Sequence, residues 1–379
     1  MSVIRAIGTA VPANRFNQSA ISEFMEQLAT TDEQRRKIKT IFRASAIKTR
    51  HSVVDDFGKK TDFNFFSNNE ALSTFPGTAE RMMLYRKHAA SLSYNAIQNL
   101  NEQQPINFNE ISHLINVSCT GMNAPGLDID LINLLGLSSS INRTSINFMG
   151  CFAAINAIKL ADAFCKADAQ ASVLIVCVEL CSLHFQKNFT DDNILSNALF
   201  ADGAAALLIQ SSEKTPPHSN TITHQHTNTL THKHNNTLII EGFHSDIAHH
   251  GANDMAWTIG NLGFEMKLST YVPEILGRGI QSLVNGLKQK AEFDTINHYV
   301  IHPGGKKILD VIGETLNLSH EKLTHCYNTL SNYGNMSSPT VLFALKELLA
   351  TTSVDKGQSI IAMAFGPGLT MESVMLKNV

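Results

Sequence analysis

One spacing that occurs twice restricts this chain more than any other feature. In the first half the apolar run "HLINVSC" ends at Cys119, the pair Gly150-Cys151 follows 32 residues later, and "VLIVCVEL" reaches Glu179 after another 28. In the second half "HYVIH" ends at His302, Asn335 follows in "NYGNMSSPTVLFALKELL" after 33 residues, and "SIIAMAFGPG" reaches Ala364 after 29 more. Each half closes on a further strand-like run, "GAAALLIQ" in one and "MESVMLKNV" in the other. Val-, Ile- and Leu-rich runs that alternate with helical patterns predict an α/β protein with buried sheets. The repeated order predicts two duplicate halves, residues 1–214 and 236–379. Between them residues 215–235 form a polar run with His218, His224, His226, His232 and His234. That composition cannot build a core and reads as an exposed loop or hairpin. Its His-x-His pairs have no fixed acidic or cysteine partner, so no metal site is expected.

The duplication bears on chemistry. "SINFM" reads as the end of a buried strand, and from Cys151 to Ala167 the residues are apolar except for a strip of Asn156, Lys159, Asp162 and Lys166. This is the pattern of a buried helix. A thiol in its first turn lies near unpaired backbone N–H groups and the positive end of the helix dipole, both of which favour thiolate. The competing reading is a buried cysteine that fills space. Under the duplication Cys151 and Asn335 are counterparts, each on a turn entering a buried helix, and His302 ends the strand equivalent to the one ending at Cys119. Alone, His302 is a strand-end histidine and Asn335 a turn residue beside Gly334. Together they form a candidate Cys-His-Asn catalytic set, because loops at matching strand ends can meet near a pseudo-twofold axis.

Composition excludes several classes. A net charge of −3 and a pI near 6.6 supply no basic field for nucleic acid or an anionic membrane. "MSVIRAIGTAVPANRF" lacks the apolar core of a signal peptide, and the longest apolar stretch, "ASVLIVCVEL", is about half of what a bilayer span needs. The reading is a cytoplasmic protein without membrane insertion. Six cysteines with no CxxC pair and apolar surroundings predict free thiols.

Several stretches resemble one family: "GTAVP", "NFMGCFAA" around Cys151, "ALFADGAAALL" from Ala198, "IHPGGKKILD" around His302, "SNYGNMSSPTVLFAL" around Asn335 and "AFGPGLTMESVML". Over almost its whole length the chain is similar to type III polyketide synthases, the chalcone-synthase-like group of the thiolase-fold condensing enzymes, and to their bacterial members in particular. The resemblance implies a thiolase-like fold of duplicated βαβαβαββ halves in a five-layered αβαβα core. It implies an acyltransferase in which Cys151 is the acylated nucleophile and His302 and Asn335 are its partners. A homodimer would extend a starter acyl-CoA with malonyl-CoA by iterative decarboxylative condensation, with no metal or redox cofactor. Phe200 and Phe264 match the two gatekeeper phenylalanines. Lys37, Lys48 and Arg50 match basic positions at the coenzyme A entrance, where Thr40 and Ala44 replace basic residues and Arg43, Lys39 or Lys306 and Lys307 could compensate. Cys119, Cys181, His184 and Ser337 fall at cavity positions, which suggests a reshaped pocket, an aliphatic starter and a pyrone or resorcinol product. Two other readings use the same fold: a single-condensation ketoacyl-acyl-carrier-protein synthase III and a non-catalytic partner protein. "IHPGGKK" and "NMSSPT" argue against the first, and the intact Cys151, His302 and Asn335 against the second.

Overall fold

The computed structural model describes residues 1–68, 72, 75–214, 237–291, 293 and 295–379. The histidine-rich run therefore lies outside the described residues. The strands are β1 (Ser2–Ala10), β2 (Asn14–Asn17), β3 (Thr49–Ser52), β4 (His113–Ser118), β5 (Asn142–Asn147), β6 (Ser172–Leu180), β7 (Asp202–Ser211), β8 (Leu238–Ile247), β9 (Met255–Gly260), β10 (Gly263–Leu268), β11 (His298–Ile301), β12 (Ser359–Gly366) and β13 (Thr370–Asn378). The α-helices are α1 (Gln18–Glu26), α2 (Asp32–Ala44), α3 (Thr78–Gln103), α4 (Leu127–Leu135), α5 (Ala153–Ala167), α6 (Asp191–Leu199), α7 (Val272–Lys290), α8 (Lys306–Thr315), α9 (Thr324–Tyr333) and α10 (Thr340–Thr351).

Nine strands pair in the order β11-β12-β13-β8-β1-β7-β6-β4-β5. The first-half strands occupy one end and the second-half strands the other. They join where β1 meets β8, in a short antiparallel contact of Val3 with Ile239 and Ile4 with Leu238. Strands β6 and β7 are buried on both faces, so their sequences are continuously apolar rather than alternating. Their pleat divides them between two cores: Val173, Ile175 and Cys177 point into one, Leu174, Val176 and Val178 into the other. Helix α3 packs on β1, β6 and β7, and α7 packs on β8 and β13. Helices α5 and α10 touch strands of both halves and form the middle layer.

The polar strip of α5 anchors this middle layer. Lys159 Nζ donates to Glu372 Oε2 on β13 and to Ser245 Oγ on β8, each at 2.8 Å. Asp162 accepts from the Ser2 hydroxyl on β1 and pairs with Lys166 at 2.7 Å. The duplication is incomplete in one respect. The first half follows the βαβαβαββ order, but among the described residues the second has no counterpart of β5, because "THCYNTLSNY" before Asn335 is helix α9. Asn335 instead forms an isolated parallel bridge with Phe200 of the first half. Among the described residues no helix is long and apolar enough to cross a membrane. The six cysteines are free and buried, as their spacing suggested.

Candidate active site

The turn that presents Cys151 is backbone-strained. After β5, Phe148 and Gly150 take positive φ values of 56° and 83°, which swing the chain from strand into α5. A side chain on Gly150 would come within 2.3 Å of Pro367 Cδ, so glycine is required by space as well as by φ. The turn carrying Asn335 repeats the device, with positive φ at Gly334 (74°) and Ser337 (58°). His302 follows β11, and its backbone N–H donates to Met363 O of β12 at 2.8 Å. Cys151, His302 and Asn335 line one cavity of about 590 Å³, counted with its open mouth.

Asn335 is held from all sides. Its backbone N–H donates to Leu199 O at 2.9 Å and its carbonyl accepts from Ala201 N–H at 2.8 Å. Ser337 N–H donates to Oδ1 at 2.8 Å, and since an N–H can only donate, this contact fixes which amide atom is oxygen. Nδ2 donates one hydrogen to Gly304 O at 3.2 Å, which leaves its second donor for the cavity. Both ring nitrogens of His302 are buried, with no hydrogen-bond partner among the described residues. The Asn335 side chain also contacts the Cys151 thiol, so the amide and the unpartnered imidazole both stand at the cavity that holds the sulfur.

Burial dominates the electrostatics. It pushes the Cys151 thiol up to about 12, and the Glu179 charge adds to this against the opposing contacts of Ser337 and Asn335. Burial likewise lowers His302 to about 3. Burial thus opposes both the thiolate expected from the helix terminus and its imidazolium partner, and Cys151 itself precedes Ala153, the first residue of α5. Behind Cys151 lies Glu179, fully buried, accepting from Cys119 N–H at 2.9 Å, Thr120 Oγ1 at 2.8 Å and Ser338 Oγ at 2.7 Å. Burial raises its carboxyl to about 7. These three bonds tie β4 and β6 of the first half to the Asn335 turn of the second.

The model for the N-terminal domain of chalcone and stilbene synthases matches residues 1–213, and the model for their C-terminal domain matches residues 244–379. The chain belongs to the chalcone and stilbene synthase family. It is an acyltransferase of the type III polyketide synthase class, whose members imply CoA-thioester substrates. An "Alpha-pyrone synthesis polyketide synthase-like Pks18" of Mycobacterium tuberculosis is 30% identical over 387 residues, 99% of this chain and 91% of that protein. A "Probable polyketide synthase 1" of Dictyostelium discoideum is 29% identical over 389 residues, 100% of this chain and 11% of the relative, so this synthase spans only a tenth of that length. The crystal structure of the C-terminal type III domain of Steely1, a type I/III hybrid from Dictyostelium, superposes with a TM-score of 0.86 at 28% identity, covering 100% of this chain and 99% of that one.

The remaining sequence candidates fall into different places in the synthase. Cys119, Cys181, Phe200 and Ser337 line the Cys151 cavity. Cys119 Sγ also accepts from Gly150 N–H at 3.0 Å and steadies the strained turn. His184, placed at a cavity position by the resemblance, lines the neighbouring cavity rather than that of Cys151. Its Nε2 bonds Thr120 O at 2.7 Å and its Nδ1 accepts from Phe264 N–H at 2.9 Å, which occupies both nitrogens. The ring stacks on Phe264 at 4.2 Å and 9°. Phe264 accordingly lines the neighbouring cavity rather than that of Cys151.

Among the basic candidates, Lys37, Lys48, Lys306 and Lys307 are exposed. Lys37 pairs with Asp191, Lys306 with Asp310 at 2.5 Å and Lys307 with Glu274 at 3.9 Å. Arg50 is a correction: it is buried and donates to Gln18 Oε1 and to the carbonyls of Asn197 and Phe200, so it cannot grip phosphates at the surface. Sequence reasoning gave no role to Trp257, Glu179 or Thr120. A carboxylate ending the apolar run "VLIVCVEL" was a signal for Glu179, and being the only tryptophan of the chain was one for Trp257.

Proposed function

We propose that the synthase loads a starter acyl group from coenzyme A onto Cys151 and extends it by repeated decarboxylative condensation with malonyl-CoA. The observation that carries this reading is the convergence of Cys151, His302 and Asn335 on one cavity, with an amide donor of fixed orientation and an unpartnered imidazole. In loading, Cys151 Sγ attacks the thioester carbonyl, its proton passes to His302, and coenzyme A leaves as a thiolate that recovers that proton. In extension the malonyl C–C bond breaks, carbon dioxide departs, and the electron pair forms an enolate. His302 Nε2–H and Asn335 Nδ2–H stabilise the enolate oxygen. Its carbon attacks the Cys151 thioester and expels the thiolate, which then takes the lengthened chain back from coenzyme A. Met255, Met266, Leu268 and Phe365 give the cavity an apolar lining that suits an aliphatic starter, with a pyrone or resorcinol as product.

Lys37, Lys48, Lys306 and Lys307 supply the exposed cations for the coenzyme A phosphates. The synthase acts as a homodimer. Supporting this, β5 ends the sheet as an edge strand with mostly exposed side chains, and Met149, 37% exposed, lies just beyond it, beside the Cys151 turn. Intact-mass measurement of wild type and Cys151→Ala after exposure to acyl-CoA tests the reading. A single acyl adduct is expected in wild type and none in the variant, and mass spectrometry of the products counts the malonyl-CoA units used per starter. An adduct surviving in Cys151→Ala refutes the assignment, and one unit per starter refutes iteration.

A further inference from the structure

Beside the Cys151 cavity lies a second one, of about 490 Å³ counted with its opening, that contains none of the three catalytic candidates. The two share a wall made of Cys181, Phe200, Trp257 and Met266. Trp257 stands in the middle of this wall. Its Nε1–H donates to Cys119 O at 2.7 Å, and its ring packs edge-on against His184 at 5.5 Å and Phe264 at 5.9 Å. Because His184 spends both nitrogens on the backbone and stacks on Phe264, the support behind Trp257 is rigid, while the indole itself is held by one hydrogen bond.

The second cavity is mixed in character. Ile21, Phe57, Phe185 and Phe264 supply apolar surface, yet Arg50 also borders it. Arg50 as a whole is 3% exposed. Nε is used by Gln18 at 2.8 Å and Nη1 by the carbonyls of Asn197 at 2.8 Å and Phe200 at 2.5 Å, but Nη2 is buried with no partner among the described residues. The nearest counter-charge does not complete it. Asp202 accepts from Ser182 N–H and Val53 N–H, each at 2.8 Å, and from Ser182 Oγ at 2.6 Å, and makes no bond to Arg50. A buried cationic donor left unpaired is costly, and it marks the place where an acceptor from outside the fold gains most. Ile21, Phe57, Phe185 and Phe264 on one side, and Arg50 among the polar residues His51, Ser182, Gln186 and Asn197 on the other, suit an aliphatic chain with an oxygen at its far end.

We propose that this second cavity receives the distal part of the starter chain, that Trp257 is the gate between the two, and that the chain ends in an acceptor, a carboxylate or ketone oxygen, seated on Arg50 Nη2. This rests on the acyl-transfer reading above and names its substrate class: an aliphatic acyl-CoA with an oxygenated terminus. Entry breaks the Trp257–Cys119 bond and turns the indole, while the new bond to Nη2 is charge-assisted.

The single tryptophan makes the test direct. In Cys151→Ala, which cannot turn over, tryptophan emission is titrated with decanoyl-CoA, with the coenzyme A monothioester of decanedioic acid, and with coenzyme A alone. The expected result is a change in emission with both thioesters, none with coenzyme A, and binding of the carboxylate-ended chain tighter by at least about tenfold, as one charge-assisted bond provides. In Arg50→Met that ratio should fall to near one. If this variant fails to fold, the same ratio read from acylation rates of Cys151 in the wild-type enzyme, by intact mass, decides the matter. Equal affinity for the two thioesters, or emission indifferent to the acyl group, overturns the proposal. Should neither thioester acylate wild-type Cys151, the acyl-transfer reading itself fails, an outcome distinct from acylation without discrimination.

Discussion

Replacing Asn335 by alanine separates the two chemical steps, and the hydrogen bonds around it set the size of each effect. The variant removes the cavity-facing Nδ2 donor and the side-chain contact that favours the Cys151 thiolate, while leaving the nucleophile and His302 in place. Loss of one oxyanion donor costs about a hundredfold to a thousandfold, or about 2.7–4 kcal/mol, in the step that develops the charge. Malonyl-CoA decarboxylation should therefore fall by that factor, whereas acyl loading should persist. The same change takes Oδ1 from Ser337 N–H, now bonded at 2.8 Å, and leaves a buried donor unpaired at a cost of about 1–3 kcal/mol. With an unfolding entropy of about 2.1 cal/mol/K per residue over this chain, Tm should drop by about 1–4 °C. Asn335→Asp provides the control. It keeps an acceptor for Ser337 N–H but sets an oxygen against Gly304 O, where the amide donates at 3.2 Å, so decarboxylation is lost there too. Release of labelled carbon dioxide from malonyl-CoA reports the chemistry, intact mass reports loading, and a thermal melt reports the fold. A folded Asn335→Ala enzyme that decarboxylates within about threefold of wild type would refute the oxyanion assignment.

Other outcomes follow from the same geometry. Gly150→Ala, whose new Cβ would lie 2.3 Å from Pro367 Cδ at a φ of +83°, should slow Cys151 acylation by at least about tenfold through misplacement of the thiol; acylation at the wild-type rate would show that the turn is tolerant. Glu179→Gln removes a charge that raises the Cys151 pKa, so alkylation of Cys151 by iodoacetamide near pH 8 should quicken. The Glu179 carboxyl is raised from 4.5 to about 7, so its stabilising contribution is complete below 4.5 and is lost as pH rises through 7. Melts across that window should find Glu179→Gln gaining on wild type as pH increases, and a constant difference would contradict the assignment. His184→Thr removes the support behind Trp257 at the second cavity, so the ratio of kcat/KM between long and short aliphatic starters should change by at least about tenfold; an equal fall for every starter would leave His184 serving the backbone alone.

The outline of the site could be read from the chain because duplication and local patterning are properties of short segments. The strand ends at Cys119, Glu179 and His302 and the Gly-Cys turn follow from apolar runs and turn residues, and matching spacings placed Cys151 and Asn335 at equivalent positions. The α5 strip was recognisable as polar, but that its members reach Ser2, Ser245 and Glu372 depends on where other strands lie. The incomplete second half was not foreseen, since the repeat spacing is satisfied whether the segment before Asn335 is strand or helix.

What only the tertiary structure decided concerns environment. Arg50 and Lys48 are two residues apart in one basic run, yet Arg50 turns inward onto carbonyls and Lys48 stays in solvent. His184 matched a cavity position but faces Thr120 O and Phe264 N–H. The helix terminus at Cys151 argued for thiolate, and burial with Glu179 behind it reverses the direction. The physical reason is common to all three. Helix and strand signals, and the spacing between them, are encoded locally, within a few residues. Desolvation, an acceptor for a particular donor and the wall that Trp257 places between two cavities are sums over segments distant in sequence, which meet only when the chain is folded.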